Sequence, residues 1–518
     1  MNRKMNVVLI MADQMTAFAL SAYGNRITKT PALDALAARG VVFANAYCNF
    51  PICAPSRFSM LSGLLASKID AWDNAAEFPA SIPTLTHYLR AASYSTTLIG
   101  KMHFIGPDQL HGYEERLTTD IYPSDFSWTP SWLRPGRPVS GARMSMRSVV
   151  ESGICQRGLQ LDYDEEVHYA ATRKLYDLAR QPDSRPFFVT ISYTHPHNPF
   201  ITTQRFWDLY KDAVIDRPHV ASIPFDRQDP HSQRHYLLTG MDEFEITDEH
   251  VQASRHAYYG MVSYVDEKVG QLMTILQETG LDENTLVVFT ADHGEMLGER
   301  GMWYKMTLFE GATRIPFIVA GPDVNRGARV EQLVSLVDLA PTLLEVGCVP
   351  ATSLAQPMDG QSLVGVCGGA TPAARDVYVE YTAEGAISPC LMIRRGNMKY
   401  IWAEPDPPQL FDLAADPHEL DNLAGSAAHA AIEVAFQKTL HAVWDDRAMY
   451  NRVITSQRSR QLLQPILMSG VRSPWDYQAH QDQSKQYVRS GDSPTATKAK
   501  FRFPFVAPYP PKPSAEGH

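Results

Sequence analysis

Short apolar runs recur along the chain, each ending in a polar cluster and each followed by a stretch of helical periodicity. Residues 7–12 (Val-Val-Leu-Ile-Met-Ala) read as a first buried strand that ends at Asp13. Thr30-Pro31 opens a helix that runs to Arg39 and stops at Gly40, with a cap residue and a proline at the first helical position. Residues 94–99 form the next strand and lead into Gly100-Lys101-Met102-His103. An amphipathic stretch over 164–180 precedes the apolar run 186–193, which ends at Thr194-His195-Pro196-His197. A long helix starts at the capping residue Thr247 and runs toward Gly280, with a kink or break expected at Gly260 and Gly270. It feeds the strand 286–290, which ends at Asp292-His293-Gly294. This alternation predicts an α/β fold with a large, mostly parallel sheet sandwiched by helices. The polar clusters fall just after the carboxyl ends of the strands, the edge at which open α/β sheets bind ligands.

Near residue 371 the texture changes. Residues 377–381, 391–394 and 398–402 are short, closely spaced strand candidates that suit a smaller antiparallel sheet, with a helix over about 428–444 packed on it. Polar residues and proline dominate from Gln457 onward, with Trp475, Tyr477, Tyr487 and Phe501 spaced along the tail. Two readings stay open there: an arm docked on another surface, such as a neighbouring subunit, or a partly disordered terminus. The expected division is a catalytic α/β domain over 1–370, an α+β subdomain over 371–456 and an extension over 457–518, for which an oligomerisation arm is one of the two readings; a homodimer or homotetramer is expected.

Composition narrows the class. A chain of 518 residues exceeds the ~250–300 at which single cores stop growing, so more than one lobe is expected. A formal net charge of −10 argues against a nucleic-acid surface. No apolar window reaches the ~20 residues of a membrane helix, and the first apolar run is too short for a signal-peptide core. The expected compartment is the cytoplasm. The six cysteines are sparse and form no Cys-x-x-Cys pair, so neither a disulfide framework nor a zinc site is indicated.

The strand-end residues fall into two chemical groups. Asp13, Asp292 and His293 are metal candidates, with the side-chain carbonyl of Gln14 beside them. A shell built mainly of oxygen suits a hard divalent ion, Ca²⁺ first, with Mg²⁺ or Mn²⁺ as alternatives. Arg57, Lys101, His103, His197 and Lys305 are cations or potential cations, the set needed by an oxyanion whose charge grows in the transition state. Lys101-Met102-His103 would place two of them on one face of an extended segment. Asn74 adds a neutral donor.

The run Cys53-Ala54-Pro55-Ser56-Arg57, followed by Leu61-Ser62-Gly63, reads Cys-x-Pro-Ser-Arg. It resembles the pattern at which sulfatases of the alkaline phosphatase superfamily have a cysteine oxidised to formylglycine. The match runs essentially end to end. Asp73-Asn74-Ala75-Ala76-Glu77-Phe78, Gly106-Pro107-Asp108-Gln109-Leu110-His111-Gly112, Leu297-Gly298-Glu299-Arg300-Gly301 and Leu410-Phe411-Asp412-Leu413 are similar to choline sulfatases in particular. The resemblance implies an alkaline phosphatase-like fold, maturation by a formylglycine-generating enzyme and hydrolysis of a small alkyl or sugar sulfate ester. A formylglycine hydrate derived from Cys53 would bind the metal and attack sulfur to form a covalent sulfo-enzyme, and its second hydroxyl would expel sulfate. Arg57 would stabilise the hydrate. Asn74, Lys101, His197 and Lys305 would hold the sulfate oxygens. His197 or Lys305 would protonate the leaving alcohol, and His103 would take the proton from the second hydroxyl. His195 rivals His197, which the family's His-x-Pro spacing favours.

Two departures bear on the substrate. Choline sulfatases carry a histidine where this chain has Met144-Ser145-Met146, and a tail aspartate where it has Thr495, with Asp492 nearby. Trp128 and Glu384 remain to grip a quaternary ammonium through an aromatic face and a carboxylate. Arg143 and Arg147 instead suit a substrate with an extra anionic or hydroxyl-rich group. A phosphonate monoester or phosphodiester hydrolase would use a nearly identical site, and an unconverted Cys53 would leave a catalytically silent binding protein.

Overall fold

The first apolar run becomes the strand Asn6–Ala12, buried on both sides, because its six apolar residues lie between two parallel neighbours. The computed structural model describes residues 4–133, 144–180, 185–371, 373–472, 474–479, 487–489 and 493–504. Its nine-stranded sheet runs in the order Ala328–Ser335, Gly40–Tyr47, Phe317–Ala320, Thr285–Ala291, Asn6–Ala12, Phe187–Tyr193, Ser95–Gly100 and Glu115–Arg116, with Arg314–Ile315 paired to Gly40–Tyr47. Only the pairings of Phe317–Ala320 and Arg314–Ile315 are antiparallel.

Two groups of helices cover this sheet. Pro31–Ala38 and Leu159–Arg180 both pack on Asp248–Glu278, and Cys53–Ser62 and Leu85–Ala91 pack on Leu339–Val346. A smaller antiparallel sheet follows, made of Asp376–Tyr381, Cys390–Arg395, Met398–Trp402 and Gln409–Asp412, with the helix Ala430–Val443 packed against it. Its fourth strand lies beyond those the alternation pattern marks.

The helix Asp248–Glu278 is continuous, against the expected kink. Its glycines serve close packing instead. A Cβ on Gly260 would lie 2.9 Å from Thr202 Cγ2, and one on Gly270 would lie 3.1 Å from Ala32 Cβ.

The helix Asp446–Leu467 runs through the expected boundary at 456/457. Beyond it, Asp476 accepts hydrogen bonds from the Ser124 N–H and hydroxyl, and Trp475 meets Phe126 edge-on at 5.2 Å. This part of the tail therefore docks on its own chain. Among the described residues no helix is long and apolar enough to cross a membrane.

Candidate active site

Parallel register brings four strand ends together. Ala12 stands beside both Ala291 and Tyr193, and Gly100 beside Ser192, so Asp13, Asp292-His293, His195–His197 and Lys101 all emerge on one edge. Cys53 reaches that edge as the first residue of the helix Cys53–Ser62, every residue of which is buried. The Ala54 N–H at this helix start donates to Asn74 Oδ1 at 2.9 Å.

Asp13, Cys53, Asp292 and His293 each present a ligand atom within 4.8 Å of the others. The Cys53 sulfur lies 3.3 Å from His293 Nε2, 3.8 Å from Asp13 Oδ1 and 3.2 Å from Lys101 Nζ. His293 Nδ1 donates to the Gly294 carbonyl at 3.0 Å, which leaves Nε2 bare and facing the cluster. Burial pulls its pKa down to about 4, so the imidazole is neutral at ordinary pH. Burial alone would raise the pKa of Asp13, but the charges of Lys101 and Arg57 hold it well below the usual carboxylate range. Asp292 is likewise lowered against burial, chiefly by Arg57, whose Nε donates to it at 2.8 Å. Two ionised carboxylates and a neutral imidazole around one point suit a hard divalent cation.

The cations ring this cluster. Lys101 is fully buried, ion-paired with Asp13, and lies 4.5 Å from the Tyr122 ring centroid. Arg57 spends one Nη on the Lys101 carbonyl and Ser192 Oγ, while its Nη2 has no protein partner. Neither ring nitrogen of the buried His103 has one either. These atoms are open to whatever a modified Cys53 or a substrate brings. Lys305 Nζ donates to Gln14 Oε1 and meets His197 Nε2 at 2.8 Å. His197 Nδ1 donates to the Asn198 carbonyl at 2.7 Å. Burial and the Lys305 charge push the His197 pKa well below the ordinary value, so the imidazole is neutral and, with Nδ1 donating to Asn198, its Nε2 accepts from Lys305 Nζ.

Residues 5–347 match the sulfatase family model. The chain belongs to the sulfatase family. Residues 298–448 further match the C-terminal model of N-sulphoglucosamine sulphohydrolase, and residues 451–503 the choline sulfatase C-terminal model. This sulfatase is 42% identical to a choline-sulfatase of Rhizobium meliloti (strain 1021), over 97% of this chain and 99% of that one. It is 27% identical to an arylsulfatase of Clostridium perfringens (strain 13 / Type A), over 82% and 91% of the two chains. The phosphonate monoester hydrolase of Agrobacterium radiobacter superposes with a TM-score of 0.68 at 25% identity, over 86% of this chain and 96% of that one. The protein is a sulfuric ester hydrolase of the alkaline phosphatase-like fold, and its family implies a divalent metal and formylglycine.

The sulfatase site departs from the sequence reading at one place and bears on it at two more. Lys101-Met102-His103 is not extended: Asp120 Oδ2 accepts the N–H groups of both Met102 and His103, and His103 adopts a φ of 59°. Lys101 and His103 still reach the site, through a turn. His195 is turned away, held by Asp164 at 2.7 Å and against Tyr264, which leaves His197 as the histidine beside Lys305. Arg147 is exposed and pairs with Glu151 at 2.8 Å, and Thr495 is exposed on the helix Pro494–Lys500, while Arg143 and Asp492 lie outside the described residues.

Alongside Trp128, Glu384 and Asp73, which the sequence reading names, stand Tyr122, Glu295 and Arg460, which carry no sequence signal. Tyr122 lies 5.2 Å from His103 and 5.9 Å from His197, and Trp128 stands edge-on at 5.5 Å to His103 and 5.0 Å to Tyr122, making one aromatic wall. Glu295, fully buried, accepts from Gln14 Nε2 and so turns the Gln14 carbonyl oxygen toward Lys305. Asp73 is forked by Arg460, at 2.6 and 2.8 Å, from the distant helix Asp446–Leu467. Glu384 has a buried Oε2 without a hydrogen-bond partner, and burial reinforced by Asp73 raises its pKa to about 7.

Proposed function

We propose that this sulfatase hydrolyses choline sulfate, or a closely related small alkyl sulfate with a cationic end. The observation that carries the reading is the 42% identity to a choline-sulfatase, which extends over 97% of the chain. The site supports it, with Glu384 as a carboxylate for the ammonium and Trp128 and Tyr122 as aromatic faces. Asp13, Cys53, Asp292 and His293 would hold the ion, proposed to be Ca²⁺, which supplies charge that polarises the sulfate and favours the ionised nucleophile. Formylglycine made from Cys53 by a formylglycine-generating enzyme supplies a hydrated aldehyde, one hydroxyl for attack and a second for release of sulfate.

The remaining steps belong to the chain's own residues. Lys101, Lys305, His197 and the Asn74 amide hold the sulfate oxygens, and Arg57 steadies the oxygens carried at position 53. Lys305 supplies the proton to the leaving alcohol, because His197 rests neutral with its Nδ1 proton committed to Asn198. His103, its ring nitrogens unengaged by protein, accepts the proton of the second hydroxyl. A homodimer or homotetramer is also proposed, supported by the apolar outer face of Asp446–Leu467, where Leu462, Leu463 and Ile466 are exposed. The cytoplasm is the proposed compartment, supported by six cysteines that are all free.

The test is a comparison of kcat/KM for choline sulfate, its neutral isostere 3,3-dimethylbutyl sulfate, an aryl sulfate, a sugar sulfate and a phosphonate monoester. Choline sulfate should lead. Equal rates on the charged and neutral isosteres would refute the cation-binding reading. The mass of the Cys53 peptide from the native host reads conversion, and light scattering reads assembly.

A further inference from the structure

The loop that carries the aromatic wall has no regular structure of its own. From 117 to 132 it contains neither helix nor strand, so its backbone polar groups need partners from elsewhere. The helix Asp446–Leu467 supplies them from one face. Gln457, Arg460, Gln461 and Gln464 lie at i, i+3, i+4 and i+7, the spacing that aligns side chains along a helix. Gln464 Oε1 accepts the Phe126 N–H at 3.1 Å, and its Nε2 donates to Ser127 Oγ at 2.9 Å, so both ends of one amide bracket the residues just before Trp128. Gln461 donates to the Pro130 carbonyl at 2.8 Å, Gln457 accepts the Trp132 N–H at 3.0 Å, and Arg460 reaches Thr129 Oγ1 at 3.2 Å.

The first half of this helix buries Met449, Val453 and Ile454 like a usual surface helix, but its second half departs from that pattern. Here much of the inward face is polar and is spent on one loop, whereas Leu462, Leu463 and Ile466 are exposed.

We propose that Gln464 is a positioning residue that sets substrate affinity and selectivity by fixing the loop bearing Tyr122 and Trp128. The inference rests on the reading that this wall grips the alcohol portion of the substrate. Gln464 itself touches no reacting group. Its loss should let the loop populate conformations in which the wall is out of place, which weakens binding in proportion to the competent fraction and leaves the chemistry at Cys53 intact.

Four variants of the full-length enzyme test this: Gln464→Leu, Gln464→Glu, Trp128→Ala and the double substitution Gln464→Leu with Trp128→Ala, each assayed on the best sulfate ester from the substrate comparison. Gln464→Leu removes both loop hydrogen bonds and should raise KM about tenfold. Its kcat should stay within about twofold of the parent. Gln464→Glu should restore KM in part, because a carboxylate still accepts the Phe126 N–H but cannot donate to Ser127 Oγ, whose own proton goes to Asp125. Combining Gln464→Leu with Trp128→Ala should raise KM by less than the product of the single effects, since Gln464 acts through that wall. An unchanged KM in Gln464→Leu, a KM for Gln464→Glu no lower than that of Gln464→Leu, or fully multiplicative effects would each overturn the proposal. A wrong substrate reading is seen separately, as no preference of the parent enzyme for choline sulfate over its neutral isostere.

Discussion

Lys305 and His197 share one hydrogen bond, and its polarity decides which of them would deliver a proton in the proposed reaction. With Nδ1 tied to the Asn198 carbonyl and a pKa pushed down by burial, His197 accepts and Lys305 donates. The requirement for that proton depends on the leaving group. Lys305→Ala should lower kcat on an alkyl sulfate by about 10²–10⁴ and on nitrophenyl sulfate far less, since nitrophenolate departs without protonation. Steady-state rates on the two esters measure the difference. At the opposite wall, Asp292→Asn removes a carboxylate that Arg57 holds ionised. Elemental analysis of the purified variant should find the metal lost together with turnover, and retention of a full equivalent of metal would exclude Asp292 as a ligand. Glu384 yields a pH prediction. Its pKa near 7 leaves the carboxyl largely protonated below that value, so KM for choline sulfate should fall as pH rises through about 7. KM for the neutral isostere should not follow it.

Between elements, buried polar groups add to apolar packing. Lys399, on the strand Met398–Trp402 of the small sheet, is fully buried and bridges Glu310 at 3.1 Å and Glu419 at 2.7 Å. Glu310 begins the short helix Glu310–Thr313 that precedes the large sheet's Arg314–Ile315 strand, so this triad joins the small sheet to the catalytic lobe. Lys399→Met would leave two carboxylates buried without their cation, and urea unfolding should register a loss of about 3–5 kcal/mol. The long helix Asp248–Glu278 makes the complementary point about glycine. Sequence rules mark Gly260 as a weak point in a helix, whereas in the fold it is the space that Thr202 occupies. Gly260→Ala should therefore destabilise by about 1–3 kcal/mol through overpacking, although alanine is the better helix former. Chemical denaturation gives the sign directly.

At the scale of the molecule, the active site is an edge of the large sheet closed by parts that arrive from far along the chain. The alternation of strands and helices was readable because each buried parallel strand needs a continuous apolar run and each crossover helix an apolar stripe. Asp13, Asp292, His293, Lys101 and His197 were readable for a related reason: each follows such a run, and strand ends are where parallel sheets expose chemistry. Cys53 was marked by its own local pattern. By contrast, Tyr122, Asp120, Glu295 and Arg460, the partner of Asp73, lie in loops or on a late helix, with no periodicity or motif to mark them. The direction of the His197 proton, the turn at His103 and the inward polar face of Asp446–Leu467 likewise depend on contacts between residues remote in sequence. The amino-acid order by itself thus determined the sheet and the candidate residues proposed for the reaction centre at its edge, because both are written in local pattern. Only the tertiary structure decided which groups surround that centre, how its protons are placed and what holds its aromatic wall, because long-range packing alone brings those partners within hydrogen-bonding distance.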